Sequence, residues 1–226
     1  MAFTGFPVET MHFLLDLQNN NSRSWFDENR SRYEDYLKEP AMQFIGAIGS
    51  ALSETRPEIN AIPKVDGGLF RLNRDTRFSR DKTPYKTHIG ILLWEGTRKK
   101  LENSGFYFHL EPERLLLGTG IYMMPRTLMK PFRDAVAAET RNGKLMKIVK
   151  KLETSGYKVG TEHYKRIPTG YDPECPANRF LRFNGLSTII EMPVPPEIHT
   201  PDIIPLCMEH FLAMMPLHQW LLSALP

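Results

Sequence analysis

Between Arg71 and Lys86 the chain sets six cations, Arg71, Arg74, Arg77, Arg80, Lys82 and Lys86, against two anions, Asp75 and Asp81. That is a surplus of four (six minus two) in a chain whose formal charge is only +3, so the rest of the sequence is close to neutral. Arginine offers a planar fork for two-point contacts with phosphate or carboxylate, lysine a compact point charge and tyrosine a phenolic donor. Arg71, Arg74, Asp75, Arg77, Lys82 and Tyr85 are therefore the expected ligand-binding residues, with a small anionic or phosphorylated ligand as their natural guest. If Leu69 to Asp75 is a strand, Arg71, Asn73, Asp75 and Arg77 share one face and Arg74 lies on the other. A helix would instead align Arg71, Arg74 and Arg77. A third possibility is an internal network in which Asp75 and Asp81 pair with neighbouring arginines.

Other chemistry is sparse. The seven histidines show no paired spacing, the two cysteines, Cys175 and Cys207, form no C-x-x-C, and no metal site or cofactor is expected. There is no G-x-S-x-G elbow and no Walker loop, and Gly118-Thr119-Gly120 lacks the third glycine of a dinucleotide fingerprint. That segment reads as a strand with a close backbone approach. Glu111 and Glu113 flank a turn proline and read as solvated loop charges. If the protein is an enzyme, the expected chemistry is metal-free phosphoryl or acyl transfer with Tyr85, His109 or Asp75 moving the proton.

The pattern Arg71-x-x-Arg74-Asp75-x-Arg77-Phe78-x-x-Asp81-Lys82-x-x-Tyr85 resembles the signature of a bacterial and fungal family of conserved hypothetical proteins, domain of unknown function 2461. The asparagine run before Trp25-Phe26, the helix bearing Tyr33 and the segment Arg166-Ile-Pro168-x-Gly170-Tyr171 resemble that family too, so the likeness spans the chain. It marks the motif residues without assigning them a role.

These residues must be positioned by the elements around them. Apolar spacing predicts three N-terminal helices: Pro7 to Leu17 with Val8, Met11, Leu14 and Leu15 on one side, Trp25 to Leu37 capped by Ser24, and a third begun by Pro40 with Ala41, Phe44, Ile45, Ile48 and Leu52 as its stripe. From Ile62 to Tyr122 the period becomes strand-like and predicts an antiparallel sheet. Its clearest unit is a hairpin in which Leu110 pairs with Leu115 across the loop Glu111 to Arg114. A helical pair follows from Arg126 to Leu152, turning at Asn142-Gly143. A strand is expected at Ser187 to Met192, then a last helix capped by Thr200 and interrupted by Pro216. The fold class is α+β, one domain over residues 1–226, with an antiparallel sheet in the middle of the chain packed by N-terminal and C-terminal helices. The expected core includes Phe44, Ile48, Leu52, Phe106, Phe108, Leu115, Leu117, Phe132 and Val149.

Three functions fit these observations. The first is binding or catalysis at an anion site on Arg71 to Lys86. The second is nucleic-acid binding, disfavoured by the near-neutral remainder and the lack of a basic tail. The third is a structural protein with an internal Arg/Asp network. No apolar run reaches the ~20 residues of a membrane span and no leader precedes Phe13, so a cytoplasmic protein with no membrane partner is expected.

Overall fold

The computed structural model describes residues 2–160 and 162–226. Six strands form an antiparallel sheet: β1 (Ile59–Asn60), β2 (Ile89–Glu95), β3 (Gly105–Leu110), β4 (Arg114–Ile121), β5 (Lys158–Val159) and β6 (Leu186–Pro193). Their spatial order is β1-β2-β3-β4-β6-β5. The helices are α1 (Val8–Asn19), α2 (Arg23–Glu28), α3 (Arg30–Tyr33), α4 (Glu39–Ser53), α5 (Arg126–Ala137), α6 (Glu139–Thr154) and α7 (Ile203–Ala224). The fold is thus α+β, as its changing hydrophobic period predicts. The chain divides into two compact units, one of Met1–Leu93, Tyr107–Leu117 and Glu191–Glu209, the other of Trp94–Phe106, Gly118–Ile190 and His210–Pro226.

In the first unit, the N-terminal helices cover the apolar face of the strands. Ala41, Phe44, Ile45, Ile48 and Leu52 of α4 are fully buried. Phe44 meets Phe108 with ring centroids 4.5 Å apart, and Phe6 stacks on the same ring at 5.7 Å. Because strand side chains alternate, Phe108 and Leu110 face this core while Tyr107 and His109 face away from it. On α1 the buried face is Thr10, Met11, Phe13, Leu14 and Leu17, and Val8 and Leu15 are exposed, so the stripe is rotated from the expected one. Phe13 turns it, packing against Trp25, Phe26 and Tyr33.

Two helix boundaries also differ from expectation. The second helix starts two residues earlier, with Ser22 accepting from the Trp25 N–H at 3.3 Å, and it breaks at Asn29. Pro40 lies in the first turn of α4, as expected, but that helix continues directly from the one before it. The path runs from α3 through a π turn, Glu34–Lys38, into α4. Pro40 has no N–H to give the carbonyl four residues back, that of Tyr36, and the widened turn accommodates its ring. The Thr10 hydroxyl donates to that orphaned Tyr36 carbonyl, tying α1 to the turn.

The expected hairpin is present and its loop is tighter than foreseen. Glu111 N–H donates to the Arg114 carbonyl at 2.8 Å and Arg114 N–H returns at 3.4 Å, which leaves Pro112-Glu113 as the turn and sets Leu110 opposite Leu115. The predicted strand Leu69 to Asp75 is not regular. Phe70 N–H donates to the Gly90 carbonyl and Leu92 N–H to Gly68, whereas Lys86 N–H donates to Leu72 and Arg74 N–H to Pro84. The pairing sum is 160 in the first set and 158 in the second, so two extra residues bulge between them on the Lys86 to Gly90 side. Segment 68–74 and segment 84–92, which runs on into β2, therefore form an arm closed by the loop 75–83.

In the second unit, β5 pairs antiparallel with β6, Lys158 opposite Ile189 and Val159 opposite Thr188. The helical pair turns at Ala138, not at Asn142-Gly143. Asn142 is buried within α6, its amide directed at the Cys175 sulfur at 3.8 Å. Nor does Pro216 interrupt α7, which passes through it. The carbonyl that Pro216 leaves without a partner belongs to Leu212, which is exposed to solvent. Gly118 sits where a Cβ would meet the Ile189 side chain at 3.0 Å, the close approach expected of that segment. Ser104, His218 and Glu95 form a buried chain, Ser104 Oγ to His218 Nδ1 at 2.8 Å and His218 Nε2 to Glu95 at 3.0 Å. The ring of Phe106 lies 4.7 Å from that imidazole. Their order resembles a nucleophilic relay, but His218 is fully buried, which makes the chain a means of satisfying core polar groups.

All nine expected core residues are at most 2% exposed. Leu52→Ala removes a fully enclosed side chain, and urea unfolding should show a loss of about 2–5 kcal/mol with an unchanged m-value.

Candidate functional site

The base of the arm is pinned to the helices. Asn21 reads both main-chain groups of Tyr85, accepting its N–H at 3.0 Å and donating to its carbonyl at 2.9 Å. The Tyr85 ring is buried and stacks on Phe26, centroids 4.3 Å apart and planes 21° from parallel. Tyr85 is thus an anchor of the arm in this geometry, with its ring turned toward the helices.

The outer loop is organised by its own ions. Arg77 grips Asp75 through Nε at 3.0 Å and Nη2 at 2.7 Å. Arg74 donates to Asp81 at 2.5 Å and to the Thr83 carbonyl at 3.1 Å. Lys82 donates to the Thr76 carbonyl and Lys86 to that of Arg71. The Arg77 fork holds the Asp75 carboxyl at about 2, and the Thr83 N–H, with Arg74 behind it, holds Asp81 at about 2. Phe78, at the tip, is 95% exposed beneath the Arg77 guanidinium. Arg71 differs. It is exposed, and its guanidinium has no hydrogen bond or ion pair among the described residues. Lys86 is pushed down by burial and then by the nearby charge of Arg71, with its ammonium over the Phe70 ring at 5.5 Å.

Beside the arm the outward face of the strands carries a second polar group. His109 lies between Tyr107, whose hydroxyl is 2.9 Å from Nδ1, and Glu111, 2.8 Å from Nε2. Arg114 clasps the same carboxylate at 2.9 and 3.2 Å and reaches Glu191 at 3.4 Å. Burial raises Glu111, but the bonds from Arg114 and His109 outweigh it and hold the carboxyl below its ordinary value. Ionised, Glu111 only accepts, so in neutral His109 it takes the Nε2–H and leaves Nδ1 to accept from Tyr107. Burial, then Glu111, pushes the Tyr107 phenol up to about 12, keeping it a donor. Gly90 makes room for it, since a Cβ there would lie 3.1 Å from the hydroxyl oxygen and 3.3 Å from Phe70. Glu111 is therefore a network member, not the solvated loop charge its turn context suggested. The bulge delivers His88 onto this face, stacked on His109 with centroids 4.1 Å apart. Burial, then His109 and Lys86, lowers His88 to about 4, so it is neutral at pH 7.

The structure thus gathers Arg74 with Asp81 and Arg77 with Asp75, leaves Arg71 open, and gives the three proton-transfer candidates separate settings. Asp75 is bound by Arg77, Tyr85 is packed on Phe26, and His109 sits in a relay. His88, Tyr107 and Glu111 escaped the sequence reading because 21 residues separate the stacked histidines. The only local sign was the alternation Tyr107, His109, Glu111 along one strand.

These features define an α+β protein with a cationic arm beside a histidine-bearing sheet face. The chain belongs to the family described as Conserved hypothetical protein (DUF2461), which it matches over residues 9–220. No curated protein and no solved structure matches it. Among the described residues no helix is long and apolar enough to cross a membrane.

His88 supplies a pH test. Its folded-state value lies below the ordinary 6.5, so the unfolded chain binds the proton first and stability is lost as pH falls from about 6.5 toward 4. The ceiling is roughly 3 kcal/mol. Urea midpoints at intervals across that window should fall more steeply for the wild type than for His88→Gln, while above pH 7 the two curves should run parallel.

Proposed function

We propose that the protein binds a small anionic ligand, bearing phosphate or carboxylate, on the cationic arm. The observation that supports this most strongly is Arg71, an exposed guanidinium with no hydrogen bond or ion pair among the described residues, held near enough to Lys86 for the two like charges to repel, with Asp66 only partly offsetting them. Arg77 and Lys82 would add contacts, because the Arg77 pair with Asp75 is solvent-exposed and such pairs hold weakly against a better acceptor. Arg74 and Tyr85 would set the shape of the arm, and Asp75 would keep the Arg77 fork in place until the ligand arrives. Of Tyr85, His109 and Asp75, His109 is the group suited to pass a proton, since the other two are committed to Phe26 and Arg77. We place the protein in the cytoplasm, a setting that the two buried unpaired cysteines support.

Thermal melting at low salt tests this. Millimolar pyrophosphate, and more weakly inorganic phosphate, should raise the melting temperature of the wild type. Arg71→Ala should melt within about 1 °C of wild type without ligand, because its guanidinium holds nothing in the fold, and should lose most of the ligand-induced rise. A wild type indifferent to both anions would overturn the reading.

A further inference from the structure

We infer that His88, His109 and Glu111 form a binding site for a divalent transition metal of the zinc class. One donor atom from each residue lies within 4.8 Å of the others, and all three residues are partly buried. Two imidazoles and one carboxylate are a ligand set that zinc and its first-row neighbours accept, with a position left for water or a ligand. Donors around such an ion sit ~3.4 Å apart, so the widest separation needs a contraction of up to about 1.4 Å. His109 Nε2 and the Glu111 carboxylate, hydrogen-bonded at 2.8 Å, would open by about 0.6 Å to admit the ion between them.

The surroundings suit the change of partners. His88 is stacked on His109, ring centroids 4.1 Å apart, which brings its imidazole to the same point of the sheet face. When the ion takes His109 Nε2, the imidazole keeps its one proton by moving it to Nδ1. Tyr107 then turns from donor to acceptor, a role its hydroxyl also fills, and no net proton is lost. Glu111 gives one oxygen to the ion in place of the His109 N–H, while Arg114 retains the other through its Nε. Lys86 and Arg114 add positive charge nearby, which favours an anion in the open position. The site stands independently of the proposed anion function, because the three protein ligands bind the ion by themselves.

Calorimetric titration of the full chain with Zn2+ in phosphate-free buffer reads the site directly. One ion per chain should bind at micromolar or lower concentration, and Co2+ should give a visible d–d band. His88→Gln and His109→Ala should each weaken binding about tenfold or more, and Tyr107→Phe, which removes no ligand, about tenfold through loss of the outer partner. Circular dichroism and melting of each variant establish that it is folded, and His88→Gln carries the test if His109→Ala is not. Absence of saturable binding below ~0.1 mM, or unchanged affinity in folded histidine variants, overturns the assignment. Failure of pyrophosphate to stabilise the protein would leave it untouched.

Discussion

The double hydrogen bond from Asn21 to the main chain of Tyr85 is the constraint on which the candidate site depends. Segments 68–74 and 84–92 pair only through isolated bridges and a few bonds, too few to hold an arm carrying four surplus charges. A side-chain amide that satisfies both backbone groups of one residue fixes position and direction together. The Tyr85 ring on Phe26 adds apolar burial at the same point. With the base fixed there, the bulge before Gly90 has a defined direction, and His88 is delivered onto His109 instead of into solvent.

Charge on the arm follows a division of labour. Asp75 and Asp81 each take an arginine and a backbone N–H, closing the loop on itself. Two carboxylates cannot neutralise six cations. Lys82 and Lys86 settle on carbonyls, which accept hydrogen bonds without cancelling charge, and Arg71 keeps its fork in water. The internal Arg/Asp network foreseen as one alternative is thus present around Asp75 and Asp81, and it does not take in Arg71.

The sheet face shows how ordinary strand geometry assembles reactive groups. Alternation puts Tyr107, His109 and Glu111 on the side opposite Phe108 and Leu110. The two-residue turn at Pro112-Glu113 then returns Arg114 to the Glu111 carboxylate. Gly90 leaves on the neighbouring strand the gap into which the Tyr107 hydroxyl fits.

The sequence by itself determined the α+β class, the apolar phase of α4, the hairpin register and the cationic segment, because each depends on residues within a turn or two of one another. Hydrophobic period and turn chemistry are local properties, and they are visible in order along the chain. The start of α2 moved for a local reason, since Ser22 and not Ser24 caps it, whereas the turn between α5 and α6 was misplaced because a tertiary partner overrode the local signal: Asn142 was taken into the core beside Cys175. Only the tertiary structure decided that Tyr85 faces the helices, that Arg71 beside Lys86 stays open and that His88 meets His109. Those facts depend on a register slip of two residues between paired segments and on contacts spanning 64 residues from Asn21 to Tyr85. A slip of two keeps every side chain on its own face while moving it along the strand, so it leaves no trace in the pattern of apolar and polar residues.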